Sequence, residues 1–107
     1  MPDRWPFADP RSLAVVSLKR IFKEGRPVLY VLHDHEGGWQ FLDGDDVTED
    51  DANIIDLDVI VEHDPTLIEV ATLPHGFFAY RESVDAPWQV GYRGDPEDDD
   101  AEGDPIE

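Results

Sequence analysis

Between Pro27 and Tyr80 the chain runs for 54 residues without a lysine or arginine, and carries thirteen Asp and Glu residues. The flanks differ. Residues 1–26 hold six bases against three acids, residues 81–93 balance two against two, and residues 94–107 hold eight acids and no base. Less than half of the formal charge of -18 therefore belongs to the final segment, and residues 1–93 are acidic by a net ten charges. A solubilising tail is commonplace, whereas an acidic folded surface restricts partners. Such a surface is repelled by nucleic-acid phosphates and anionic lipid, which excludes ordinary nucleic-acid and membrane-surface roles.

With 107 residues, 40% of them hydrophobic, the chain suffices for one domain with a modest core. It has no cysteine, which excludes disulfides, thiol catalysis and thiolate metal sites and fits a reducing cytoplasm, the expected localisation. The first residues, Met-Pro-Asp-Arg-Trp-Pro, lack the basic start and apolar run of a secretory signal, and no apolar stretch approaches the roughly 20 residues of a membrane helix. The chain divides into an extended N-terminal arm over 1–12, a single α+β domain over 13–93 and a disordered acidic tail over 94–107. The arm offers Trp5 and Phe7 for packing onto the body. In the tail Ile106 is the only large apolar residue, too little to offset the entropy of ordering.

Leu13 to Leu18 is rich in β-branched residues and predicts a strand. Ser17 is placed to cap a helical turn over Leu18 to Glu24, ended by Gly25, with Ile21 and Phe22 facing inward. Pro27 to Asp34 is the clearest strand, and Gly37-Gly38 turns it into Trp39 to Leu42, a β-hairpin. Thr48-Glu-Asp-Asp51 has the form of a helix-start box and predicts a helix from about Glu49 to Asp56. Leu57, Ile60 and Val61 extend helical spacing toward Asp64, and Pro65 opens a third short helix with Leu67, Ile68 and Ala71 inward. Gly76 to Arg81 predicts a strand, and Ala86 to Tyr92 a weaker one. The expected architecture is a small, mostly antiparallel sheet with two or three short helices packed on one face. The strand at 76–81 returns in either sense after the helical crossover. Phe77 and Phe78 are adjacent, so they point to opposite faces. One lies under the helices, and the other needs a second cover from the arm, the Trp88 segment or a partner.

Little catalytic chemistry is legible. The segment Asp43 to Asp51 resembles a calcium loop, but its sixth position is Thr48 instead of Gly and its twelfth is Ile54 instead of Glu. It reads as an acidic turn. His33-Asp34-His35-Glu36 is the one candidate metal cluster, since two histidines two apart on a strand share a face, and two imidazoles plus a third ligand can hold zinc or nickel. No serine has an elbow-like glycine context, there is no phosphate loop, and 26 acids are too many to single out an acid–base pair. No cofactor and no small-molecule ligand is indicated.

An ordered set of short motifs carries a resemblance. Ser17, Gly25, Val28 to Val31, Gly38-Trp39-Gln40-Phe41, Gly44-Asp45, Asp64-Pro65, Pro74-His75-Gly76 and Arg81-Glu82 stand over residues 15–89. This order resembles a bacterial immunity-protein-like domain of unknown function, the thirty-third immunity class. The resemblance implies a small bacterial cytoplasmic protein, some members of which lie in toxin-immunity neighbourhoods, and it brings no catalytic residues.

The expected function is accordingly that of a non-enzymatic acidic protein-binding domain, an immunity-type inhibitor of a basic toxin or nuclease. Its expected contact residues are Asp43, Asp45, Asp46, Glu49, Asp50 and Asp51. A nucleic-acid mimic, with carboxylates spaced like phosphates, is a variant of this reading. The alternative is a small metal-binding or hydrolytic domain built on His33, His35 and nearby acids.

Overall fold

A computed structural model describes residues 5–93. The expected acidic tail, 94–107, and the first four residues of the arm lie outside the described residues. The Leu13 run forms strand β1 (Ala14–Leu18), which passes without a loop into helix α1 (Lys19–Glu24). Gly25 closes the helix at φ 69°, where a residue without a β-carbon avoids the steric cost of left-handed backbone, and its N–H bonds the Ile21 carbonyl. Ser17 does not cap this helix. It is buried on β1, and its hydroxyl donates to the Phe41 carbonyl at 2.9 Å, so it joins two neighbouring strands.

The hairpin forms as predicted from β2 (Tyr30–His33) and β3 (Trp39–Leu42), paired from Tyr30 opposite Leu42 to His33 opposite Trp39. In its turn Asp34 Oδ1 accepts the N–H groups of Glu36 and Gly38, both at 2.9 Å.

The helix expected over Glu49 to Asp56 is absent. A single 3₁₀ turn, Glu49–Asp51, leads into strand β4 (Ala52–Asp56). Thr48 makes no capping bond, and Asp51 is drawn to Arg20 instead. A five-residue antiparallel ladder with β1, from Ala14 opposite Asp56 to Leu18 opposite Ala52, supplies the backbone partners that a helix would have found internally.

Helix α2 (Leu57–His63) buries Leu57 and Ile60 as their spacing requires. Asp64 then caps a 3₁₀ helix over Pro65–Val70, accepting from the Thr66 N–H. Its tighter winding corrects the expected inner face. With three residues per turn, Leu67, Val70 and Leu73 come to one side and are buried; Leu67 and Ala71 are buried as expected, while Ile68 is left 52% exposed. Strands β5 (Phe77–Tyr80) and β6 (Gln89–Tyr92) complete the chain.

The result is an α+β fold with a six-stranded sheet in the order β4-β1-β3-β2-β5-β6. Every pair is antiparallel except β1 with β3. The crossover returns β5 antiparallel to β2. Val15, Val31, Trp39, Phe41 and Ala79 point to one face and pack against Ile21, Leu57, Ile60, Leu67 and Val70 from the helical segments. The arm belongs to this core. Phe7 is buried edge-to-face on Trp39 with ring centroids 5.3 Å apart, Trp5 packs on Phe7, and the Trp39 indole donates to Asp9 Oδ2 at 2.8 Å.

The opposite face of the sheet has its own row. Register places Ile54, Val16, Gln40, Leu32, Phe78 and Gly91 side by side across all six strands. Tyr30 and Tyr80 stand opposite one another in the next row. None of these residues belongs to the helix-packed core.

Candidate protein-binding surface

The acidic segment crosses one end of the sheet. It leaves β3 at Leu42 and starts β4 at Ala52, and these strands flank β1, so it spans the junction of β1 with α1. Two guanidinium groups hold it there. Arg20, in the first turn of α1, takes Asp43 in a fork: Nε to Oδ2 at 2.6 Å and Nη2 to Oδ1 at 2.7 Å. Its Nη1 also reaches Asp51 at 3.0 Å, and its Nη2 donates to the Asp46 carbonyl at 2.8 Å. Arg26, just beyond the Gly25 turn, contacts Asp43 Oδ2 at 3.0 Å and Asp45 Oδ2 at 2.8 Å. The Asp45 N–H adds a further bond to Asp43 Oδ1. Hydrogen bonding from Arg20 is the largest influence on Asp43 and holds its carboxyl below the usual carboxylate range, while the same bond raises the Arg20 guanidinium.

The six expected contact residues therefore divide. Asp43 is turned inward, 4% exposed, and works as an internal anchor; it is not displayed to a partner. Asp51 is half-buried on Arg20. Asp45 shares Arg26 but keeps most of its side chain in solvent. Asp46, Glu49 and Asp50 are exposed and make no ion pair among the described residues. The anchor was invisible in sequence because Arg20 lies 23 residues before Asp43 and only the β1–β3 pairing brings them together.

The histidines fall differently from expectation. Strand β2 ends at His33, so His35 lies in the hairpin turn and is exposed, while His33 is buried. The two do not share a strand face. His33 stacks on Trp39 with centroids 3.8 Å apart, meets His75 edge-on at 4.5 Å, and its Nδ1–H donates to the Leu73 carbonyl at 2.6 Å. Its Nε2 is buried without a hydrogen-bond partner among the described residues. Among the described residues no group of three or more His, Asp or Glu side chains is gathered closely enough to hold a metal ion.

A second ion pair, unforeseen in sequence, lies deeper. Arg81 is 2% exposed and donates to Asp64 Oδ2 at 2.9 Å and twice to the Val28 carbonyl, while Trp88 covers its guanidinium at 4.2 Å. This pair joins the end of β5, the 3₁₀ cap and the chain before β2, a structural role. A shallow groove of about 320 Å³ beside the arm is lined by Trp5, Arg11, Asp58, Val61, Glu62 and Ile68. No helix among the described residues is long and apolar enough to cross a membrane. No family model, no curated protein and no solved structure matches the chain.

Proposed function

We propose that this chain is a non-enzymatic protein-binding domain whose acidic loop meets a basic protein, the immunity-type inhibitor role that the motif resemblance implies. The observation that carries this reading is the loop itself. Asp45, Asp46, Glu49 and Asp50 stand in solvent on a segment pinned from beneath by Arg20 and Arg26, so its charge is presented at a defined place. The described residues carry seventeen acids against seven bases, which leaves the surface around the loop strongly negative. A negative surface accelerates encounter with a basic partner, and the loop needs little ordering when bound. The cytoplasmic setting belongs to the same proposal and rests on the cysteine-free composition.

The test is affinity capture from cells of the source organism with the full chain and with a triple charge-reversal variant, Asp46→Lys, Glu49→Lys and Asp50→Lys. These three positions leave the Asp43 anchor untouched. A basic protein retained at low salt, released as salt is raised and lost by the variant is the expected result. Capture without any basic protein, or equal retention by the variant, refutes the proposal.

A further inference from the structure

The helix-free face of the sheet keeps apolar side chains that the described residues cover only in part. The sequence left three candidates for it: the arm, the Trp88 segment and a partner. The structure sends the arm to Trp39 and Trp88 to Arg81, both on the core side. Phe78 is left on the opposite face. Gly91 lets its ring lie down over β6, since a β-carbon there would sit 2.6 Å from Phe78 Cζ. The ring stacks on Tyr30 at 5.9 Å, which makes an aromatic platform at the middle of the row. Toward β4 the row continues through Leu32, which is buried, and the half-buried Gln40 and Val16 to Ile54, which is 64% exposed; Tyr80 beside the platform is 42% exposed. Exposed and half-buried apolar side chains gathered on one sheet face mark an interaction site.

Charge selects the occupant. Every residue that strand alternation assigns to this face, from Ala14 and Val16 through Gln89 and Gly91, lacks a basic group, and Asp56 adds a carboxylate at its edge. The acidic loop leaves the sheet at Leu42, which packs against the core, and re-enters it at Ala52, two residues before Ile54. Two copies pressed together here would bring like-charged surfaces together, and residues 94–107, with eight acids and no base, carry the same sign of charge. A basic protein is attracted to this charge, and the exposed Arg93, two residues beyond Gly91, borders only the β6 end of the row. We propose that this face is the apolar centre of the partner site: aliphatic or aromatic side chains of a basic protein seat on Phe78, Tyr30 and Ile54, while its lysines and arginines face the acidic loop. The inference rests on the proposed function and locates the residues that hold the complex once charge has steered it.

The test uses the full chain as bait for a randomised displayed peptide library, followed by NMR mapping of the enriched peptides. Expected are peptides that combine Lys or Arg with aliphatic or aromatic residues, and shift changes at Val16, Leu32, Gln40 and Phe78. Ile54→Lys and Tyr80→Ala, both at exposed positions, weaken binding at least tenfold, while Val59→Lys on the helical side does not. Basic peptides that map only to Asp45–Asp50 overturn this inference and leave the acidic-loop reading standing. Enrichment of acidic or neutral peptides overturns both. Dimerisation through this face, or contacts from Ile106 to Phe78 in the free protein, assigns the cover to the chain itself and overturns the inference.

Discussion

The Asp64–Arg81 pair allows the most quantitative prediction. Its side chains are 8% and 1% exposed, so each charge has given up nearly all of its water. Arg81 recovers the loss from Asp64, from the Val28 carbonyl and from the face of Trp88, and Asp64 in turn accepts from the Thr66 N–H and hydroxyl. Removing one charge leaves the other buried without its counter-ion, which costs about 3–5 kcal/mol. A domain of this size has roughly 5–15 kcal/mol in total. Asp64→Asn keeps the shape and an oxygen for Thr66 but deletes the charge, and is expected to lose about 3 kcal/mol. Arg81→Met is expected to lose a similar amount, because it strands the carboxylate. The double variant removes both charges, so its loss should fall short of the sum by about 2 kcal/mol or more. Urea denaturation followed by tryptophan fluorescence measures this. With a slope of roughly 1–3 kcal/mol/M, each single variant moves the midpoint down by more than about 1 M. Additivity of the two losses within about 0.5 kcal/mol, or a loss below about 1 kcal/mol for Asp64→Asn, would refute the argument that the pair is buried and interdependent.

Three further outcomes follow from named contacts. Asp43 has a lowered folded-state pKa, so its contribution is present above the ordinary carboxylate value and disappears as pH falls through the folded one. The stability difference between the native chain and Asp43→Asn should therefore be constant from neutral pH to about 5 and shrink below about 4 in acid titrations of the urea midpoint. Gly25→Ala meets no atom of the described residues within 4 Å, so its expected cost of about 1 kcal/mol in thermal denaturation is that of the backbone alone, φ 69° being the cause. Gly91→Ala is expected to cost about 1 kcal/mol and to displace the Phe78 ring, visible as changed aromatic shifts at Phe78 and Tyr30, because the added carbon would overlap it.

The local elements were largely legible where one short-range rule dominates. The Gly37-Gly38 turn between apolar runs specified the hairpin, Gly25 specified the end of α1, and Asp64-Pro65 marked a helix start. The failures fall where a distant partner outbid the local signal. Thr48-Glu-Asp-Asp51 satisfies a helix-start pattern, but β1 offered β4 a complete ladder and Arg20 took Asp51. Ser17 had the right type for a cap, but Phe41 on β3 supplied a buried acceptor. His33 and His35 are two apart, yet the strand stops between them.

The candidate site shows the same division. That the segment from Pro27 to Tyr80 must be acidic is a property of sequence, because no base lies within it. Which of its carboxylates face a partner is not, because Arg20 and Arg26 reach Asp43, Asp45 and Asp51 only after β1 and β3 align side by side. Likewise Asp64-Pro65 and Arg81-Glu82 stand as separate motifs along the chain, and folding makes Asp64 and Arg81 one buried pair. Charge inventory, turn chemistry and the alternation of Phe77 with Phe78 are local and additive, so sequence alone determined them. Pairing of charges and the choice of which sheet face is covered depend on contacts between residues far apart in the chain, and only the tertiary structure decided those.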